Sequence, residues 1–122
     1  MRDKQLTPHF NLSEFRCPCC NDVVEAAAQR LAEALEPARE LFGPIHIWSS
    51  FRCPNHNYKV NGALSSQHLL GLAADIAVDG DAARFELITA LLESGFKRLG
   101  IATQHIHADI GTPTGPCIWT YC

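Results

Sequence analysis

The sequence predicts an α+β fold, a small antiparallel sheet with flanking helices. Two observations carry this: apolar residues recur at helical spacing between 22 and 42 and again between 81 and 94. The segments between and after them alternate apolar with polar residues and are bounded by glycine, proline and aspartate. A chain of 122 residues is long enough to bury one core and too short for two, so a single domain spanning 1–122 is expected.

Taken in order, Asp22 is placed to cap the first helix, with Glu25 reaching back as its capping-box partner. Val24, Ala28, Leu31, Leu35, Ala38 and Phe42 form its apolar stripe. Pro37 should kink or divide this helix, and Gly43-Pro44 ends it. Residues 45–49 read as a strand, with Trp48 assigned to the core, and residues 54–60 as a short helix followed by a loop through Asn61-Gly62. From 72 to 78 the alternation puts Asp75 on one face with Ala73 and Ala77, whose small side chains leave room beside the carboxylate, and Ile76 on the other. Asp79-Gly80 closes that strand. Asp81 caps a second helix carrying Phe85, Ile88, Leu91 and Leu92, and Gly95 stops it. Residues 99–102 and 105–110 then form a hairpin in which His105, His107 and Asp109 share a face, opposite Ile106, Ala108 and Ile110. Residues 117–121 add a last strand, on which Trp119 and Tyr121 could line the cleft but are assigned to packing. His9 and His46 show no partner in the sequence, and His56 lies close to Arg52.

Composition excludes several functions. With 10 basic and 13 acidic residues the net charge is −3 and the basic residues are scattered, which argues against nucleic acid as a partner. No apolar run reaches the length of a membrane span, and the opening Met-Arg-Asp-Lys-Gln-Leu-Thr-Pro lacks the apolar centre of a signal peptide. The expectation is therefore a monomer made in the cytoplasm, without a membrane partner. Six cysteines, Cys17, Cys19, Cys20, Cys53, Cys117 and Cys122, admit three readings. Free thiols are the default. Disulfides are one alternative, and a second metal held by Cys17 and Cys20 with Cys53 and Cys117 is the other.

The chemistry concentrates in Ser66-Gln67-His68-Leu69-Leu70-Gly71-Leu72-Ala73-Ala74-Asp75 and in His105-Ile106-His107-Ala108-Asp109. His68, Asp75 and His107 offer two imidazoles and a carboxylate, a set that suits zinc and leaves a fourth position open. If the two strands pair, Asp75 and His107 become neighbours, and the turn at Gly71 delivers His68. Spacing alone leaves this metal site and ordinary packed histidines equally open.

Ser66-x-His68-x-x-Gly71-x-Ala73-x-Asp75, the later His107-x-Asp109, the upstream Ser50-Phe51-Arg52-Cys53-Pro54-Asn55-His56-Asn57 and the opening Phe10-Asn11-Leu12-Ser13-Glu14-Phe15 together resemble the zinc D-alanyl-D-alanine carboxypeptidase family, which shares its fold with the Hedgehog signalling domain. The resemblance runs from about Phe10 to about Tyr121. It implies a zinc peptidase acting on peptidoglycan stem peptides at the bacterial cell wall, with His68, Asp75 and His107 as ligands of Zn2+. By the same resemblance Arg52 grips a carbonyl or terminal carboxylate of the substrate, and Ser66 either lies near substrate or caps a turn. Many family members place a carboxylate three residues before the last zinc histidine as general base; here that residue is Gln104, a catalytic candidate that cannot accept a proton and whose amide would have a positioning role instead. His105 is the best substitute, because it shares a strand face with His107 and titrates in the useful range. Asp109 is read as the partner that orients His107. The alternatives are an endolysin-like endopeptidase cutting the L-alanyl-D-glutamate or cross-bridge linkage, phage or prophage encoded, and a non-catalytic zinc-binding domain of the same fold.

Overall fold

The computed structural model describes residues 3–63, 66–111 and 115–121. A two-stranded antiparallel ribbon, β1 (Gln5–Thr7) and β2 (Phe10–Asn11), leads through a 3-10 turn at Leu12–Phe15 to the long helix α1 (Glu25–Phe42). Then follow β3 (Ile47–Ser49), α2 (Pro54–Lys59), a 3-10 turn at Gln67–Leu70, β4 (Ala73–Ala77), α3 (Asp81–Glu93), β5 (Arg98–Ile101), β6 (His105–Asp109) and β7 (Cys117–Thr120). The main sheet has the order β3-β4-β6-β5-β7. It is antiparallel except at one edge, where β7 runs parallel to β5. The fold is thus α+β as expected, with a mixed rather than wholly antiparallel sheet.

One face of that sheet packs under the helices. Ile76 of β4 lies opposite Ile106 of β6, and with Leu99, Leu31, Leu35, Leu87, Leu91, Phe10 and Phe15 they form a fully buried core. The other face holds the odd-numbered residues of β4 and β6, with Asp75 directly opposite His107 and Ala73 opposite Asp109. A strand pair with one dry and one polar face fixes its register strongly, because a one-residue slip would bury the polar set.

Local details depart from expectation at both long helices. Val24, not Asp22, is the N-cap of α1, and the Asp22 carboxylate accepts from the Val23 N–H. Pro37 lies within α1 without dividing it. Its helix-interior cost is about 3 kcal/mol, which the burial of Leu31, Leu35 and Ala38 around it offsets, at about 1.5–3 kcal/mol for each large apolar side chain. Gly80, at φ 89°, caps α3; Asp81 is its first residue and pairs with Arg84 at 2.8 Å. Only the face of α3 that carries Leu87, Ala90 and Leu91 is buried, so Phe85, at 72 % exposure, and Leu92 are not core residues.

Candidate metal centre and its cleft

The polar face of the sheet floors a cavity of about 880 Å3. His68, Asp75 and His107 converge there, their inward donor atoms all within 4.8 Å of one another. Each arrives by a different device. Strand register sets Asp75 against His107. His68 comes from the 3-10 turn, which the Ser66 hydroxyl caps by accepting from the His68 N–H at 3.1 Å and which Gly71 closes at φ 74°. That left-handed conformation is open to glycine at little cost.

The outward ring nitrogens fix the tautomers. His68 Nδ1 lies 2.6 Å from the Ser50 carbonyl, so it donates there and turns Nε2 toward Asp75 Oδ1 at 3.1 Å. His107 Nε2 lies 2.7 Å from Asp109 Oδ2 and turns Nδ1 toward the same Asp75 oxygen at 3.3 Å. Asp109 is itself held by Arg98 Nε at 2.7 Å and by the Gly111 N–H at 3.1 Å. An imidazole whose far nitrogen donates to a carbonyl or carboxylate is oriented for a metal and made more basic toward it. The three donors therefore fit a zinc ion by type and by orientation.

The charges of these groups are coupled. Burial opposes ionisation of Asp75, but its contacts with the His107 and His68 imidazoles outweigh it and hold the carboxyl well below the usual carboxylate range. Burial pushes the His68 imidazolium down. At His107 burial acts the same way, yet hydrogen bonds to Asp109 and Asp75 win and raise its pKa. Asp109 is lowered, because its bonds to His107 and Arg98 exceed its own burial cost.

Arg52 enters the cleft from the segment after β3. Its Nη1 donates to Asn57 Oδ1 at 3.1 Å and its Nη2 lies 3.5 Å from Asp75 Oδ2. Gly62 packs so close to this pair that a Cβ would overlap the Asn57 amide and come within 2.7 Å of Arg52 Nη1. His105 lines the cleft with Nε2 4.0 Å from Asp75 Oδ1, between the rings of Trp48 and Tyr121 at 5.8 and 5.9 Å. Ser66 and His56 also line it. Gln104 does not: it is exposed before β6, and its carbonyl accepts from the Val78 N–H.

Several expectations are corrected by this face. Trp48, at 50 % exposure, is not core but a cleft wall, as are Trp119 and Tyr121. These aromatics alternate onto the face of the sheet that borders the cleft. Trp119 lies over Gly100, 5.2 Å from the His107 ring and 5.3 Å from the Arg98 guanidinium. His9 does have a partner, Glu36 at 2.9 Å. Cys117 is bonded by Arg98 at 3.4 Å and stands apart from the other cysteines, and Cys122 lies outside the described residues. The sequence assigns no role to Asn57 or Arg98, although Asn57 closes the Ser50–Asn57 motif and the parity of Arg98 with Gly100 places it on the cleft face.

The family model described as Peptidase M15 matches residues 8–109, a span that includes Arg52, the three converging donors and Asp109. No curated protein matches the chain.

Proposed function

The chain belongs to the Peptidase M15 family, and from that premise we propose that it is a D-alanyl-D-alanine carboxypeptidase of peptidoglycan stem peptides, acting at the bacterial cell wall. The observation that carries the reading is the convergence of His68, Asp75 and His107, with both imidazole tautomers fixed from behind, beside a cleft-facing arginine. His68, Asp75 and His107 would hold the zinc ion, which when bound would supply Lewis acidity and lower the pKa of a water.

The remaining work falls to the chain's own side chains. Arg52 offers a planar fork to the terminal carboxylate or a carbonyl of the peptide, and Asn57 keeps that fork from rotating. His105, 27 % exposed and close to Asp75, takes the proton from the attacking water and returns it to the leaving amine. Gln104, outside the cleft, takes no part. Ser66 holds the His68 turn and borders the substrate. Trp48, Trp119 and Tyr121 wall the cleft, limit water and give the peptide apolar surface.

The test is to incubate zinc-loaded protein with defined stem peptides, in parallel with His68→Ala, and to identify products by mass. Release of a terminal alanine by the wild type alone supports the proposal. An internal cut replaces it with the endopeptidase reading, and no product from zinc-loaded protein leaves a non-catalytic domain.

A further inference from the structure

A second group of donors lies outside the cleft. Cys17, Cys19, Cys20 and Cys53 place all four sulfur atoms within 4.8 Å of one another, although Cys53 is 36 residues from Cys17. Cys19 and Cys53 sulfurs are 3.3 Å apart. Four thiolates at about 2.3 Å from a tetrahedral zinc stand about 3.8 Å from each other, so the cluster needs only small side-chain rotations to close on an ion.

The backbone around the cluster is shaped for this. The Cys17 carbonyl accepts from the Asn21 N–H at 2.7 Å, and the Cys17 N–H donates to the Asp22 carbonyl at 2.8 Å, which closes a tight loop with Asn21 at φ 62°. Arg16 Nη1 braces the loop by donating to the Asn21 carbonyl at 3.0 Å. Backbone N–H groups aim at sulfur: that of Cys53 at Cys17 Sγ, 3.5 Å, and that of His56 at Cys53 Sγ, 3.4 Å. Such donors stabilise thiolates and hold ligand sulfurs in place. Four reduced cysteines drawn to one point without an ion would be four thiols with little to gain from meeting. Among the described residues none of them is in a disulfide.

We propose that Cys17, Cys19, Cys20 and Cys53 bind a second, structural zinc ion, separate from the His68–Asp75–His107 centre. Four thiolates fill the tetrahedron, so this ion has no open position and no part in hydrolysis. Its task is mechanical. Cys17 lies two residues beyond Phe15, whose carbonyl accepts from the Phe51 N–H at 3.1 Å, and Cys53 follows Arg52 and caps α2. The ion therefore clips the N-terminal segment to the loop that presents Arg52, extending the seam made by the Phe51–Phe15 backbone bond and the Cys53 N–H to Cys17 Sγ bond.

Metal analysis and cobalt spectroscopy test this without reference to activity. Zinc-loaded wild type should hold about two ions per chain, and His68→Ala, Cys19→Ser and Cys20→Ser about one each. Cys117→Ser should still hold both. On exchange with Co2+, wild type and His68→Ala should show the near-ultraviolet thiolate-to-cobalt absorption that a histidine–carboxylate site cannot give. Cys19→Ser, at an exposed position, should weaken or lose it. A wild-type protein with reduced cysteines and no such absorption overturns the proposal, as does a mass two hydrogens light from a Cys19–Cys53 disulfide, or iron in place of zinc. Because the absorption persists in His68→Ala, failure of the cleft centre to bind metal would be seen separately.

Discussion

The histidine–aspartate cluster takes its geometry from strand register, whereas the cysteine cluster takes its geometry from a loop lying against a distant turn. In the first, β4 and β6 pair over five consecutive positions, the donors are largely buried, and each imidazole is held from behind by a group that is itself bonded. In the second, Cys19 and Cys20 are exposed and only Cys17 is buried. The difference teaches that strand register can organise donors before any ion arrives, whereas the cysteine donors depend on two distant segments staying together, which the proposed ion would tie.

The comparison breaks most sharply at the ligands themselves. Asp75→Ala should empty the cleft centre and abolish turnover while leaving the cobalt–thiolate absorption intact, as metal analysis and a peptide assay would show; unchanged cleft zinc would remove Asp75 from the ligand set. Asp109→Asn acts one shell out. It replaces the carboxylate behind His107 with an amide, and should weaken cleft zinc affinity by about 10–100-fold, read by competition with a chromophoric chelator. Gly62→Ala should leave zinc in place but displace Asn57 and Arg52, lowering turnover by roughly 10-fold for the loss of one charge-assisted contact. An unchanged rate would show that the Arg52 fork is not used.

On the cysteine side the readout is stability. Cys20→Ser should lower Tm by at least about 4 °C, the shift expected near this size for a loss of about 1 kcal/mol, with cleft zinc retained. The smallest effect sharpens the contrast through pH. In the zinc-free protein His107 holds its proton above the ordinary imidazole value, because Asp109 and Asp75 favour the cation. A raised folded pKa means that this stabilisation is complete below about pH 6.5 and is lost as pH rises through the folded value. The same proton competes with zinc, so cleft affinity should begin to fall on acidification while the pH is still above about 6.5. A chelator titration across that range, made on Cys20→Ser so that the cleft alone is read, would check it.

Legibility differed between the two regions for a physical reason. Alternation along 72–78 and 105–110 is a strong local pattern, and it placed Asp75, His105, His107 and Asp109 on the face where they stand. The hairpin, the short helix after Pro54 and the Gly43 and Gly95 stops were legible in the same way. The β1–β2 ribbon was missed, being too short to show a period. Trp48, Trp119 and Tyr121 were misplaced because a strand aromatic reads the same whether a helix or a cavity lies above it. Trp119 and Tyr121 lie beyond the span matched by the family model and wall the cleft from the C-terminal segment.

The sequence by itself determined the α+β class, the order of the main strands and helices along the chain, and which side chains share the polar face, because those follow from periodicity and turn chemistry within a few residues. Only the tertiary structure decided the rest. It chose Cys19 over Cys117 as the companion of Cys17, Cys20 and Cys53, left Gln104 outside the cleft, ran α1 through Pro37 and brought Asn57 and Gly62 against Arg52. Each of these depends on which distant segments close on one another, a matter of packing and loop closure over tens of residues that no local pattern encodes.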